Sequence, residues 1–131
     1  PPRSTLFPYT TLFRSPMNYG YENRKIYCHT GYEGMKIEWL KANPRVCIEV
    51  DRGFEIIAGK MACQYSCQYE SVVGFGLAHL LENDLAKRRA LYLIMAQIVG
   101  ENAWEFDNET ITRTAILEIE LTEMTGRRSK K

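Results

Sequence analysis

The stretch RKIYCHTGYEGMKIEWLKANPRVCIEV, Arg24 to Val50, decides the fold. It reads as strand, turn, short helix and strand. Ile26 and Cys28 fall on one strand face, Tyr27 and His29 on the other. Gly31 and Gly34 bracket a turn, and Lys36 stands near the start of a helix carrying Ile37, Trp39 and Leu40. Asn43-Pro44 ends that helix, because proline disfavours helical backbone in the residue before it. Val46, Ile48 and Val50 then alternate as a second strand. A helix start with two glycines and a lysine beside it has the chemistry of a phosphate seat, since its open N–H groups and positive dipole end favour an anion. Strand–turn–helix units with the same pattern also occur without a ligand, so these residues alone leave both readings open.

Upstream, Pro16 to His29 reads as a strand end, a loop at Tyr21-Glu22-Asn23-Arg24 and the next strand, with Asn23 a good turn former. Downstream, Asp51-Arg52-Gly53 reads as a turn and Phe54 to Ala58 as a short strand. Met61 to Ala78 is a long extended stretch in which Gly74 and Gly76 predict a bend, a bulge or the close approach of another backbone. A long helix is expected over Leu85–Val99, capped by Asn83 or Asp84 and ended by Gly100. Its expected inner stripe is Leu85, Tyr92, Met95 and Val99, with Leu91 and Ile94 beside it and Lys87, Arg88 and Arg89 opening the wet face. Trp104 and Phe106 anchor a loop, and Glu109 to Arg113 reads as one helical turn. Thr114 to Thr122 is the last strand, with Ala115, Leu117, Ile119 and Leu121 inward and Glu118 and Glu120 outward. The class is mainly β with helices (α+β), a small antiparallel barrel with helices outside.

The 131 residues suffice for one domain, and 45% hydrophobic with 25% charged residues suits a globular chain. Residues 5–15, TLFPYTTLFRS, match one reading frame of a common short-read sequencing adapter. Residues 1–15 are therefore expected to be non-native and the barrel incomplete at its N-terminus. The domain is expected over 16–128, with 129–131 a basic tail that continues from Arg127 and Arg128. Without Arg3 and Arg14 the balance is 15 basic against 16 acidic residues, which gives no argument for a nucleic-acid partner. No apolar run is long enough for a membrane span. Cys28, Cys47, Cys63 and Cys67 match no metal-ligand or redox spacing, so no metal is expected; buried free thiols in a reducing cytoplasm are the reading. His29, at a strand end beside the turn, is a candidate to bind substrate, donate a proton or ligate haem, against a hydrogen-bonded rim histidine. His79 has no supporting cluster and reads as a surface residue.

The segments PMNYGY (16–21), IYCHTGYEGMK (26–36), NPRVCIEVD (43–51), QYESVVGFG (68–76) and TAILEIELTEMTGR (114–127) together resemble the pyridoxamine 5′-phosphate oxidase-like proteins of the FMN-binding split-barrel fold, in the branch that contains nitroimidazole-resistance proteins. The resemblance implies a bacterial, cytoplasmic homodimer with FMN in clefts between subunits. It places the phosphate turn on His29, Thr30, Gly34 and Lys36, with Lys36 the cation. It sets Tyr27 and His29 toward flavin or substrate, Met17 and Asn18 beside the isoalloxazine, and Ser71 near the cofactor from the same or the partner chain. The implied function is FMN-dependent reduction of a small molecule, with NAD(P)H a transient donor and His29 or water the proton source. The alternatives are a non-catalytic flavin- or haem-binding protein and a deazaflavin (F420)-dependent reductase. Two departures argue against oxidation of pyridoxamine phosphate itself. Met35-Lys36 stands where the oxidase has an Arg–Lys pair, and the chain has Thr125-Gly126-Arg127-Arg128 in place of the C-terminal Trp and Arg motif. Gln68 occupies a position that is often basic in relatives.

Overall fold

The computed structural model describes residues 3–8 and 15–129. Residues 1–2 and 9–14 of the expected non-native segment, and Lys130 and Lys131 of the tail, lie outside the described residues. The strands are β1 (Arg3–Pro8), β2 (Ser15–Pro16), β3 (Gly20–Glu22), β4 (Lys25–Thr30), β5 (Arg45–Ile57), β6 (Ser66–Leu80) and β7 (Ala115–Arg128). The helices are α1 (Met35–Ala42), α2 (Asp84–Ile98) and α3 (Asn108–Arg113), with one 3₁₀ turn at Ala62–Gln64. The strands form one antiparallel sheet in the order β2-β1-β5-β6-β7-β4-β3. This is the mainly β architecture with attached helices that the alternation predicts.

Strand alternation sorts the apolar residues into two layers. On one face Ile26, Cys28, Val46, Ile48, Ala78, Leu117, Ile119 and Leu121 pack with Leu40 of α1, and Met17 and Tyr19 close over them. On the other, Ile116 meets Ala90, Leu91 and Ile94 of α2 and Ile111 of α3, with Tyr27 and Phe106 at the margin. Gly20 on β3 lets α2 come close: a Cβ there would lie 2.7 Å from Ile94 N and Leu93 C.

The central stretch folds as its residues dictate. Asn23 and Arg24, at φ 51° and 63°, form the two-residue hairpin between β3 and β4, with Glu22 opposite Lys25. Asn43 caps the C-terminus of α1 in extended backbone, as a residue before proline should.

Elsewhere the sequence reading needs correction. Asp51-Arg52-Gly53 is not a turn that splits two strands. β6 runs beside it, so β5 continues to Ile57 and takes up one extra residue as a bulge between Arg52 and Glu55, with Gly53 at φ 67°. The Gly76 expectation holds: the β6–β7 register shifts between Phe75 and Gly76, and a Cβ on Gly76 would fall on the Glu120 carbonyl. β7 runs to Arg128 rather than Thr122. α2 is turned toward one side of the expected stripe: Leu91 and Ile94, expected beside it, are buried with Ala90, whereas Leu85 and Val99 are 77% and 63% exposed and Lys87, expected on the wet face, is buried. Among the cysteines, Cys28 and Cys47 are buried, Cys67 is half-buried and Cys63 is exposed. Among the described residues no helix is long and apolar enough to cross a membrane.

Candidate functional site

Between Thr30 at the end of β4 and Met35 at the start of α1 the chain makes a four-residue turn, Gly31-Tyr32-Glu33-Gly34. Gly34 precedes the helix at φ 123°, a backbone conformation that suits glycine, and no side chain caps α1 there. Gly34 therefore offers the first-turn N–H groups of α1 no side-chain acceptor. Lys36, half-buried, points its Nζ to within 3.8 Å of Met17 Sδ. Burial pushes the nearby Cys28 thiol up to about 12, against the opposing pull of the Lys36 ammonium. Met17, Cys28 and Lys36 thus meet at one end of the inner face, with Asn18 exposed beside Met17 and Thr30 half-buried opposite Ala115.

Tyr27 and His29 leave β4 on the other face. His29 is exposed, opposite Ile116. Tyr27 stands in a row across three strands, opposite Glu118 on β7, which is opposite His79 on β6. Glu118 Oε1 lies 3.1 Å from His79 Nε2 and 3.6 Å from Lys25 Nζ. Burial, then the Glu118 charge and its hydrogen bond, push the Tyr27 hydroxyl up to about 12. Glu118 does face outward as its alternation requires. Yet it is only 9% exposed, and His79, exposed as expected, stands beside it.

Ser71 is not brought to this turn within one chain. It lies opposite Arg127, twelve residues along β7 from Ala115, the partner of Thr30. That is roughly 40 Å of extended strand. Beside Ser71, Glu70 is gripped from two strands: Arg52 Nε is 2.7 Å from Oε2 and Arg128 Nη2 is 2.9 Å from Oε1. Arg52 first, then Arg128, holds the Glu70 carboxyl below the usual range. A hollow of about 880 Å³ opens there, lined by Arg52, Gln68, Glu70 and Arg128. Arg52 and Arg128 stand beside Gln68 and are both held on Glu70; sequence reasoning missed them because only the strand register brings them together. A smaller hollow of about 330 Å³ lies between α1 and β6, lined by Leu40, Pro44, His79 and Glu82 among others. Among the described residues no cluster of three or more potential metal ligands assembles.

The profile of the pyridoxamine 5′-phosphate oxidase family matches residues 11–128. The chain belongs to that family. Among solved structures it is similar to a candidate 5-nitroimidazole antibiotic resistance protein from Bacteroides thetaiotaomicron, with a TM-score of 0.78 and 29% identity over 95% of this chain and 74% of that one. It is also similar to an FAD- and haem-binding protein from Mycobacterium smegmatis, with a TM-score of 0.77 and 15% identity over 100% and 66% of the two chains. A third is the flavocytochrome Anf3 from Azotobacter vinelandii, with a TM-score of 0.76 and 17% identity over 99% and 62%. At 15% and 17% identity the latter two establish the shared fold, the split barrel. No curated protein matches the chain significantly. Within the pyridoxamine 5′-phosphate oxidase family, this member carries Met35-Lys36 at the turn and Thr125-Gly126-Arg127-Arg128 inside β7.

Proposed function

We propose that this protein binds FMN in a cleft between two copies of the chain and serves as an FMN-dependent oxidoreductase of a small molecule. The carrying observation is the turn itself: Lys36 stands one residue into a helix that no side chain caps, beside Met17, in a family of pyridoxamine 5′-phosphate oxidases. The residues suit a phosphate ester. A Cβ built on Gly34 would meet nothing within 4 Å, so the approach to the amides is open. Thr30, Gly34 and Lys36 would hold the phosphate, and Met17 and Asn18 would lie along the ring system. FMN, when bound, supplies hydride transfer between a reduced nicotinamide donor and a small acceptor.

The chain's own part is binding, orientation and a proton. Lys36 neutralises phosphate charge. His29, exposed just before the turn, is the candidate donor of a proton to reduced substrate. Its side chain leaves β4 on the face opposite Lys36, which supports a part toward substrate rather than toward phosphate. Ser71 reaches the cofactor as Ser71 of the partner subunit, because its own chain holds it far from its own turn. A dimer is supported further by the exposed Phe54, Ile56 and Met61, at 62%, 64% and 63%. The absent oxidase motif at Thr125 to Arg128 fits a second reading equally well, a flavin- or haem-binding protein without turnover.

The visible spectrum of the purified chain, before and after FMN is added, tests the assignment. A flavin band near stoichiometric should appear, and Lys36→Ala should weaken FMN by about tenfold or more, the loss of one charge-assisted contact. NADH or NADPH consumption in the presence of FMN separates the enzyme from the non-catalytic reading. A chain that takes up no FMN, or a Lys36→Ala variant with unchanged affinity, overturns the proposal.

A further inference from the structure

The turn between β4 and α1 is fastened from behind by a side chain that the phosphate reading does not use. Lys87, in the first turns of α2, is 4% exposed. Lysine is rarely so buried, and its ammonium must find acceptors when it is. Nζ donates to the Tyr32 hydroxyl at 2.5 Å and approaches the Ile111 carbonyl at 3.4 Å. That carbonyl belongs to the last turn of α3, where carbonyls point toward a cation. The Tyr32 hydroxyl in turn donates to the Thr114 carbonyl at 3.2 Å, where α3 gives way to β7. Tyr32 therefore ties α2 and the α3–β7 junction to the middle of the turn. Gly31 and Gly34 flank it, so the backbone on either side has the freedom of glycine and gains most from a fixed point.

We propose that Lys87 is a positioning residue for the anion seat. It acts through Tyr32, holding Gly31–Gly34 in the conformation that presents Thr30, Lys36 and the α1 amides to a phosphate ester. The inference rests on the FMN reading. It adds that discrimination between FMN and riboflavin, which differ only in the phosphate, depends on a lysine on the far side of the sheet from Lys36. Preorganisation of this kind shows as affinity, because a seat already in place need not be ordered on binding.

The test uses the full chain with Lys87→Met, which keeps length without charge, and Tyr32→Phe, which keeps the ring without its hydroxyl. Each is titrated with FMN and with riboflavin by flavin fluorescence. Both variants should weaken FMN by about tenfold, the worth of one hydrogen bond to a charged group, and change riboflavin by less than about twofold. Parallel weakening of the two ligands, or unchanged FMN affinity in Tyr32→Phe, overturns the proposal. Should the unmodified chain take up no FMN, the cofactor reading falls on its own account. Amide hydrogen exchange over Gly31–Gly34 then decides the fastening: faster exchange in both variants supports it, and unchanged exchange overturns it.

Discussion

Tyr27 leaves β4 opposite Glu118, and its phenol answers to the protein around it rather than to the solvent. The Tyr27 phenol is pushed from 10.0 to about 12 by burial first and by Glu118 second. A raised value in the folded state means that the folded chain keeps its proton where the unfolded chain releases it. The contribution to stability is whole below pH 10 and is lost as pH rises from 10 toward 12. The near-ultraviolet phenolate band should therefore show a tyrosine that ionises only near pH 12, and Glu118→Gln should bring that step down; tyrosines that all ionise together near pH 10 would contradict it. What was legible at this scale was the turn: Gly31, Gly34 and Lys36 are punctuation and charge, and both act locally. Lys87 was not legible. Lys87, Arg88 and Arg89 sweep roughly 200° of a helix, so such a run cannot all face water once one side packs. Which member goes inside is decided by Ala90, Leu91 and Ile94, and by acceptors on α3 and the turn.

Elements are placed by what lies against them, and two glycines show it. Gly74 and Gly76 could be read as a bulge because glycine inside a strand pattern is itself the signal. Gly20 carries no such signal, since its reason lies 74 residues on, in the Leu93–Ile94 backbone of α2. Gly20→Ala should push α2 off β3 and cost about 1–3 kcal/mol, read as a lower thermal midpoint or a lower denaturant midpoint. A variant as stable as the parent would mean that α2 is not pinned there. The same reasoning explains the misread turn at Asp51-Arg52-Gly53. Its residues favour a turn locally, but β6 offers hydrogen bonds on one side and Arg52 pairs with Glu70 across it, so the strand goes on and the glycine absorbs the extra residue.

At the scale of the whole molecule the alternation, the turn residues and the one long helix were enough for the fold class, while the candidate site was only half readable. Lys36, expected at the phosphate, and Met17, expected beside the ring system, stand 3.8 Å apart. Ser71, expected near the cofactor from the same or the partner chain, stands at the other end of β7 within one chain. The proposed dimer reconciles the two, and it has its own test. Ile56→Glu should convert a dimer to a monomer in sedimentation and abolish FMN uptake in parallel, while leaving the helical and strand signals intact. Loss of assembly with FMN uptake retained would place the whole site in one chain. The sheet order carries a further consequence. β7 lies between β6 and β4, so residues 115–128 form an inner strand although they come last in sequence among the described strands. Until the ribosome has released them, β4 and β6 each keep a bare edge, and Leu117, Ile119 and Leu121 are missing from the inner layer. Folding must therefore wait until residues 115–128 have been made, and closure between β4 and β7 brings together residues far apart in the chain, a topology of slow, non-local contacts that leaves the nascent polypeptide in need of shelter.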